Sequence, residues 1–185
     1  MALTNQNHQL ITAHFANKDT SKMIAVDATC GNGHDTLFLA KLGFKQVYAF
    51  DIQQQAINNT QQQINQQGHK NVTLFKTSHE ALTDNVSETV DCIMFNLGYL
   101  PNADKNITTT EQTSLNALEQ SIKLLANEGL VSVLCYPGHP EGAKETTTIQ
   151  SWMATLSANW RVNEILASHP GPKAPILYLV SKAKD

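Results

Sequence analysis

Arginine is almost missing from this 185-residue chain: Arg161 is its single one, and the formal net charge is −3. That scarcity excludes a protein that coats nucleic acid through a broad basic surface, while leaving room for one that grips a small RNA feature with a few lysines. Long apolar runs are absent too. None approaches the roughly 18 residues needed to span a membrane, and Met1 to Gln6 offer neither the basic start nor the apolar stretch of a signal peptide. A cytoplasmic protein with no membrane partner is therefore expected. Cysteine is sparse, and Cys30, Cys92 and Cys135 lie far apart in apolar or strand-like sequence. They fit neither a disulfide framework nor a C-x-x-C metal site and are expected to stay reduced. No internal repeat and no linker interrupt the chain. One domain over 1–185 is expected, with 1–20 as an N-terminal helical extension built around a helix at 4–16.

What is present is an alternation of apolar runs and helical patterns. Strands are expected over 23–28, 47–50, 72–75, 90–95 and 130–136, with helices over 36–42, 53–67, 114–126 and 141–157. The Gln/Asn-rich tract 53–67 looks like low complexity, yet Ala56, Ile57, Thr60 and Ile64 fall on one helical face, so it reads as a surface helix. Residues 160–167 and 176–180 are two strand-like runs with no helix between them, joined by Pro170-Gly171-Pro172. An antiparallel hairpin is the expected outcome. The pattern gives an α/β fold: a mostly parallel seven-stranded sheet with an antiparallel last strand, and helices on both faces. A reversed last strand separates S-adenosylmethionine (AdoMet) methyltransferases from doubly wound NAD-binding domains.

Val26-Asp27-Ala28-Thr29-Cys30-Gly31-Asn32-Gly33-His34-Asp35-Thr36 stands at the first strand-to-helix turn, where open α/β sheets bind ligands. Glycines there let backbone approach a ligand. The third glycine of a full G-x-G-x-x-G is lacking, because Thr36 takes its place, which argues against a pyrophosphate site. Asp51 ends the second strand at about the ~20-residue spacing of an acid that accepts from both ribose hydroxyls; the plainer alternative is a strand-end cap. Asp27 suits orienting the glycine loop and the amino-acid end of a cofactor. Ser78 and His79 after the third strand are positional candidates for an adenine, with helix capping by Ser78 as the alternative.

The fourth strand ends in Phe95-Asn96-Leu97-Gly98-Tyr99-Leu100-Pro101. An Asn96 oxygen and a Leu97 carbonyl can accept the hydrogens of an amine and aim its lone pair. Gly98 keeps the loop thin, Tyr99 can stack on a base, and Pro101 stiffens the exit. Asn-Leu-Gly-Tyr resembles the Asn/Asp-Pro-Pro-Tyr loop of amino-directed methyltransferases; a turn with a packing tyrosine is the alternative. An alkyl amine must arrive neutral, and His139 or Glu141, in Tyr136-Pro137-Gly138-His139-Pro140-Glu141-Gly142, can position or deprotonate it. Glu141 equally suits a helix start, and the pair lacks a third partner for a metal. Lys105, Lys144 and Lys173 follow strands four, five and six and can hold RNA phosphates.

These segments together, V-D-A-T-C-G-N-G-H-D-T, F-D-I-Q, F-N-L-G-Y-L-P and Y-P-G-H-P-E-G, resemble the bacterial MnmM-type methyltransferases, formerly described as rRNA methylases. The similarity runs from about residue 23 to 157. It implies a Rossmann-like class I AdoMet-dependent methyltransferase with S-adenosyl-L-methionine as cofactor. The implied reaction is N-methylation of 5-aminomethyl-(2-thio)uridine at wobble position 34 of tRNA, giving 5-methylaminomethyl-(2-thio)uridine. It further implies Asn32, Gly33, Asp35 and Thr36 in the cofactor loop, Asp51 and Ile52 at ribose and adenine, and His79 on the adenine side. Asn96, Leu97, Gly98 and Tyr99 would form the transfer centre, with cofactor contacts from the first three. Cys30 departs from the pattern in loop packing, and 168–175 departs further, so RNA contacts are not assigned there. The partner is expected to be a tRNA anticodon loop, whose unpaired bases suit stacking on aromatic side chains; a homodimer is compatible with the sequence. Two other readings stand beside this one: methylation of another amine in rRNA, protein or a small molecule, and a non-catalytic nucleotide-binding module.

Overall fold

Strand and helix alternate through residues 2–98 and 109–183, which this computed structural model describes. Leu3–Phe15 (α1) precedes Ile24–Asp27 (β1), His34–Lys41 (α2), Gln46–Phe50 (β2), Gln54–Gln67 (α3) and Val72–Phe75 (β3). A 3-10 turn at His79–Ala81 then runs into the single-turn helix Leu82–Asn85 (α4). Val90–Asn96 (β4), Glu111–Leu124 (α5), Leu125–Cys135 (β5), Pro140–Thr155 (α6), Trp160–Leu166 (β6) and Ile176–Lys182 (β7) complete the order. The strands form one sheet, β3-β2-β1-β4-β5-β7-β6, parallel from β3 through β5, with β7 antiparallel between β5 and β6. The hairpin read from the two helix-free runs is present, and the last strand alone is reversed.

Side chains of the central strands alternate between two cores because a strand's period is two. On one face Ile93 and Phe95 of β4, Val131 and Val133 of β5, and Tyr178 and Val180 of β7 pack with Leu118 of α5 and Ile149 and Met153 of α6. On the other, Cys92, Met94, Leu130, Leu134, Leu177 and Leu179 pack with Leu39 of α2 and with Leu3, Ile11 and Phe15 of α1. The N-terminal helix is thus a layer of the fold rather than an appendage, and Ser132 of β5 donates to its buried Asn7 at 2.7 Å. In α3 the buried residues are Ala56, Thr60 and Ile64, three of the four on the face read from the sequence.

The largest departures from the expected bounds lie at the start of α5 and at the α5–β5 junction. Helix α5 begins at Glu111, not 114, because Thr110 and Thr113 close a capping box. It ends at Leu124, since Leu125 pairs with Val90 and already belongs to β5, so Asn127-Glu128-Gly129 lie within the strand instead of terminating a helix. Between β3 and β4, where the sequence pattern marked no helix, the chain forms the 3-10 turn and the single-turn α4.

Strand order reverses between β1 and β4, whose carboxyl ends lie side by side. Crevices of open α/β sheets form at such a point, where the following loops diverge to opposite faces.

Candidate functional site

The loop after β1 is tied to its neighbours before any ligand enters. Ala28 N–H donates to the Met94 carbonyl and Cys30 N–H to the Phe50 carbonyl, each at 2.8 Å. Gly31 adopts φ 51° and Gly33 φ 84°. At Gly33 a β-carbon would sit 3.0 Å from the Thr60 Cα, so α3 packs directly on the loop. The polar face of α3 braces it as well: Asn59 donates to the Asn32 side chain at 2.9 Å and Gln63 to the Asn32 carbonyl at 3.0 Å.

A cavity of about 570 Å³ opens above this loop and the ends of β2, β3, β4 and β5. Asn32, Asp35, Asp51, Ile52, Ser78, His79, Asn96, Leu97, Gly98 and His139 line it, so one crevice unites candidates from five loops. Asp51 accepts from Gly31 N–H at 3.0 Å and from Gln53 N–H at 2.9 Å. The strand-end capping role and the cavity-facing role are therefore held by the same carboxylate, whose pKa burial pushes up against the lowering effect of those amides. Ile52 is 51% exposed beside it, an apolar surface at the mouth. Ser78 accepts from Glu80 N–H at 3.2 Å and so caps the 3-10 turn while lining the cavity. His79 is buried edge-on to Phe95, and its Nε2 has no hydrogen-bond partner among the described residues. Burial holds its pKa down at about 4, so the ring is neutral.

Asp27, Gly33 and Thr36 lie outside the lining of the cavity. Asp27 is fully buried behind the loop, accepting from the Thr36 hydroxyl at 2.6 Å and from Thr29 N–H at 3.2 Å. Desolvation, then the nearby Asp35, push its pKa up to about 7. The pair shapes the loop from underneath.

The two strand ends meet at Asn96. Its backbone N–H donates to Thr29 Oγ1 at 2.8 Å, and its side-chain Nδ2 donates to Asp35 Oδ2 at 3.2 Å. A carboxylate oxygen only accepts, so the amide is oriented with NH₂ towards Asp35 and its oxygen away from it. Gly98 takes φ 147°, a conformation open to glycine. Its N–H donates to Thr109 Oγ1 at 3.1 Å and its carbonyl accepts from Thr109 N–H, which clasps both ends of the intervening segment. Behind the clasp lies buried Glu145, accepting from Ser114 Oγ at 2.6 Å. Desolvation raises its pKa against the lowering effect of the Ser114 and Thr109 hydroxyls. Tyr99 and Lys105 lie outside the described residues.

His139 reaches the cavity wall, but Nδ1 accepts from Gly142 N–H at 3.1 Å as the N-cap of α6. That lone pair is engaged, so the ring is not a ready base through Nδ1. Gly142 fits because a β-carbon would run into the Tyr136 carbonyl. Glu141 and Lys144 are exposed on the first turns of α6, outside the lining of the cavity. Glu141 occupies the helix-start position, where the backbone amides favour a negative charge. Lys173 does line the mouth. Sequence reasoning assigned no role to Thr29, Tyr136, Thr109 or Glu145, which the fold brings to the site.

Similarity to known proteins follows the same core. The family model described as "Putative rRNA methylase" matches residues 47–181. A relative from Arabidopsis thaliana, "tRNA (mnm(5)s(2)U34)-methyltransferase, chloroplastic", is 35% identical over 173 residues, covering 86% of this chain and 63% of that protein. The match thus spans less than two thirds of that relative's length. A crystal structure of a protein of the same rRNA-methylase description from Clostridium thermocellum superposes with a TM-score of 0.90 at 32% identity, covering 99% of this chain and 98% of the other. A Streptococcus mutans protein solved in complex with SAH gives 0.85 at 31% identity, covering 95% and 97%.

Proposed function

The chain belongs to the rRNA methylase family, and from that membership we propose that it is an AdoMet-dependent N-methyltransferase acting on tRNA. The acceptor is the primary amine of 5-aminomethyl-(2-thio)uridine at wobble position 34, presented by an anticodon loop. The observation that carries this reading is the Asn96 amide, fixed by Asp35 at the meeting point of β1 and β4 with its oxygen branch left for an amine hydrogen. The printed activity of the Arabidopsis relative supports the choice of acceptor.

The residues fit the cofactor. The unpartnered Nε2 of His79 offers a buried hydrogen-bonding atom to the adenine, Ile52 an apolar face, and Asp51 a carboxylate for ribose hydroxyls. AdoMet would supply an electrophilic methyl group on its sulfonium. Everything else falls to this chain. Asn96 Oδ1 accepts an N–H and turns the nitrogen lone pair inward, Leu97 keeps water from the floor, and Lys173 stands where a phosphate would pass. Solution scattering reads the assembly state, for which the proposal carries a homodimer.

The test is mass spectrometry of wobble nucleosides. Purified protein plus AdoMet should convert 5-aminomethyl-2-thiouridine in tRNA lacking the modification into the methylamino form. No conversion there, with transfer to ribosomal RNA or another amine instead, overturns the choice of acceptor. SAH binding without any transfer would mark a nucleotide-binding module.

A further inference from the structure

A side-chain amide points an oxygen or an NH₂ depending on one 180° rotation, and only one of the two states can accept from an amine. Asp35 selects that state in Asn96, but Asp35 is itself a side chain that can rotate about its own bonds. Something must hold it. That partner is His8 of α1: Nε2 lies 2.6 Å from Asp35 Oδ1, leaving Oδ2 for Asn96. The imidazole is fixed in turn. It stacks flat on Phe38, one turn after Asp35 on α2, with centroids 3.9 Å apart and planes 1° apart. Helix α1 is anchored around it by Leu3, Ile11 and Phe15 in the core and by the Asn7–Ser132 bond. A line of short contacts therefore runs from α1 through α2 to the end of β4.

We infer that His8 is a positioning residue for methyl transfer, acting through Asp35 to keep the Asn96 carbonyl oxygen turned towards the acceptor amine. The inference rests on the proposed transfer reaction. His8 lies outside the cavity lining and is placed to act through Asp35. Without it, Asp35 Oδ1 loses its histidine partner, the carboxylate can turn, and the Asn96 amide can present N–H to the lone pair it should direct.

The experiment compares His8→Ala and His8→Gln, since glutamine can still donate to Asp35. In the protein without cofactor, NMR of the Asn96 side-chain amide should show a restrained NH₂ pair in wild type. It should become a freely rotating, fast-exchanging pair in His8→Ala and be restored in His8→Gln. In single-turnover assays kcat should fall about 10- to 100-fold in His8→Ala, the scale of a misplaced reacting group. SAH affinity should stay within about 3-fold, and His8→Gln should recover most of the rate. An unchanged Asn96 signal in His8→Ala overturns the inference. So does a rate loss that glutamine fails to restore, or one accompanied by an equal loss of SAH binding. If wild type methylates no tRNA, the functional proposal fails, while the NMR comparison still decides whether His8 sets Asn96.

Discussion

At the scale of single residues, two buried ionisable groups set opposite pH slopes. His79 has a pKa of about 4 against an ordinary 6.5, so the unfolded chain takes up its proton first. Its contribution to stability is whole above 6.5 and is lost as pH falls towards 4. Asp27 runs the other way: raised to about 7 from 3.8, it favours the fold at low pH and loses that contribution as pH climbs from 3.8 to 7. Denaturant titrations from pH 4 to 7 should therefore show His79→Phe weakening acid sensitivity and Asp27→Asn flattening the decline on the alkaline side. His79→Phe should also weaken SAH binding, because the orphaned Nε2 is removed. Asp51→Ala should weaken SAH binding by about 10- to 100-fold in calorimetry, the worth of a charged hydrogen bond, with a smaller effect on turnover at saturation. Asp51 and Asn96 were legible in the sequence because each ends an apolar run beside a recognisable turn. His8, Thr29 and Glu145 were not. Their partners lie 27, 67 and 31 positions away, and no local pattern encodes a contact between separate elements.

At the scale of elements, the glycine loop and α3 behave as one unit. Gly33→Ala puts a side chain into a left-handed conformation and against the backbone of Thr60. A cost of at least about 1–2 kcal/mol follows from the backbone alone. The melting temperature should fall by several degrees in calorimetry, at about 2–4 °C per kcal/mol for a chain of this size. Gly68→Ala, also at positive φ but with nothing within 4 Å, should cost only the conformational part. Strands β1 to β4 were readable from apolar runs closed by turn residues, and α3 from its buried stripe despite the glutamines. The α5–β5 junction was not: Asn127-Glu128-Gly129 carries turn chemistry, but it falls in an irregularity between the Val90–Leu125 and Cys92–Leu130 pairs, so β5 begins before it.

At the scale of the whole molecule, the deficit of arginine bears on how a tRNA would be held. Lys173 is the lysine at the cavity mouth among the described residues. Binding measured by anisotropy between 50 and 200 mM salt should give a shallow slope, about −3 or less in magnitude by counterion release. A slope near −8 would mean an extended basic track elsewhere. The sheet order was legible only in part: alternation implied parallel strands and the helix-free hairpin a reversed one, but the insertion of β7 between β5 and β6 is a non-local pairing. That insertion has a temporal consequence. Strand β6 is made before β7 yet joins the sheet solely through it, so on the ribosome the flank of β5 stays bare until residues 176–182 emerge. Cooperative closure of this half of the molecule must wait for them, and a nascent chain halted earlier would expose a sticky, unzipped margin for chaperones to guard.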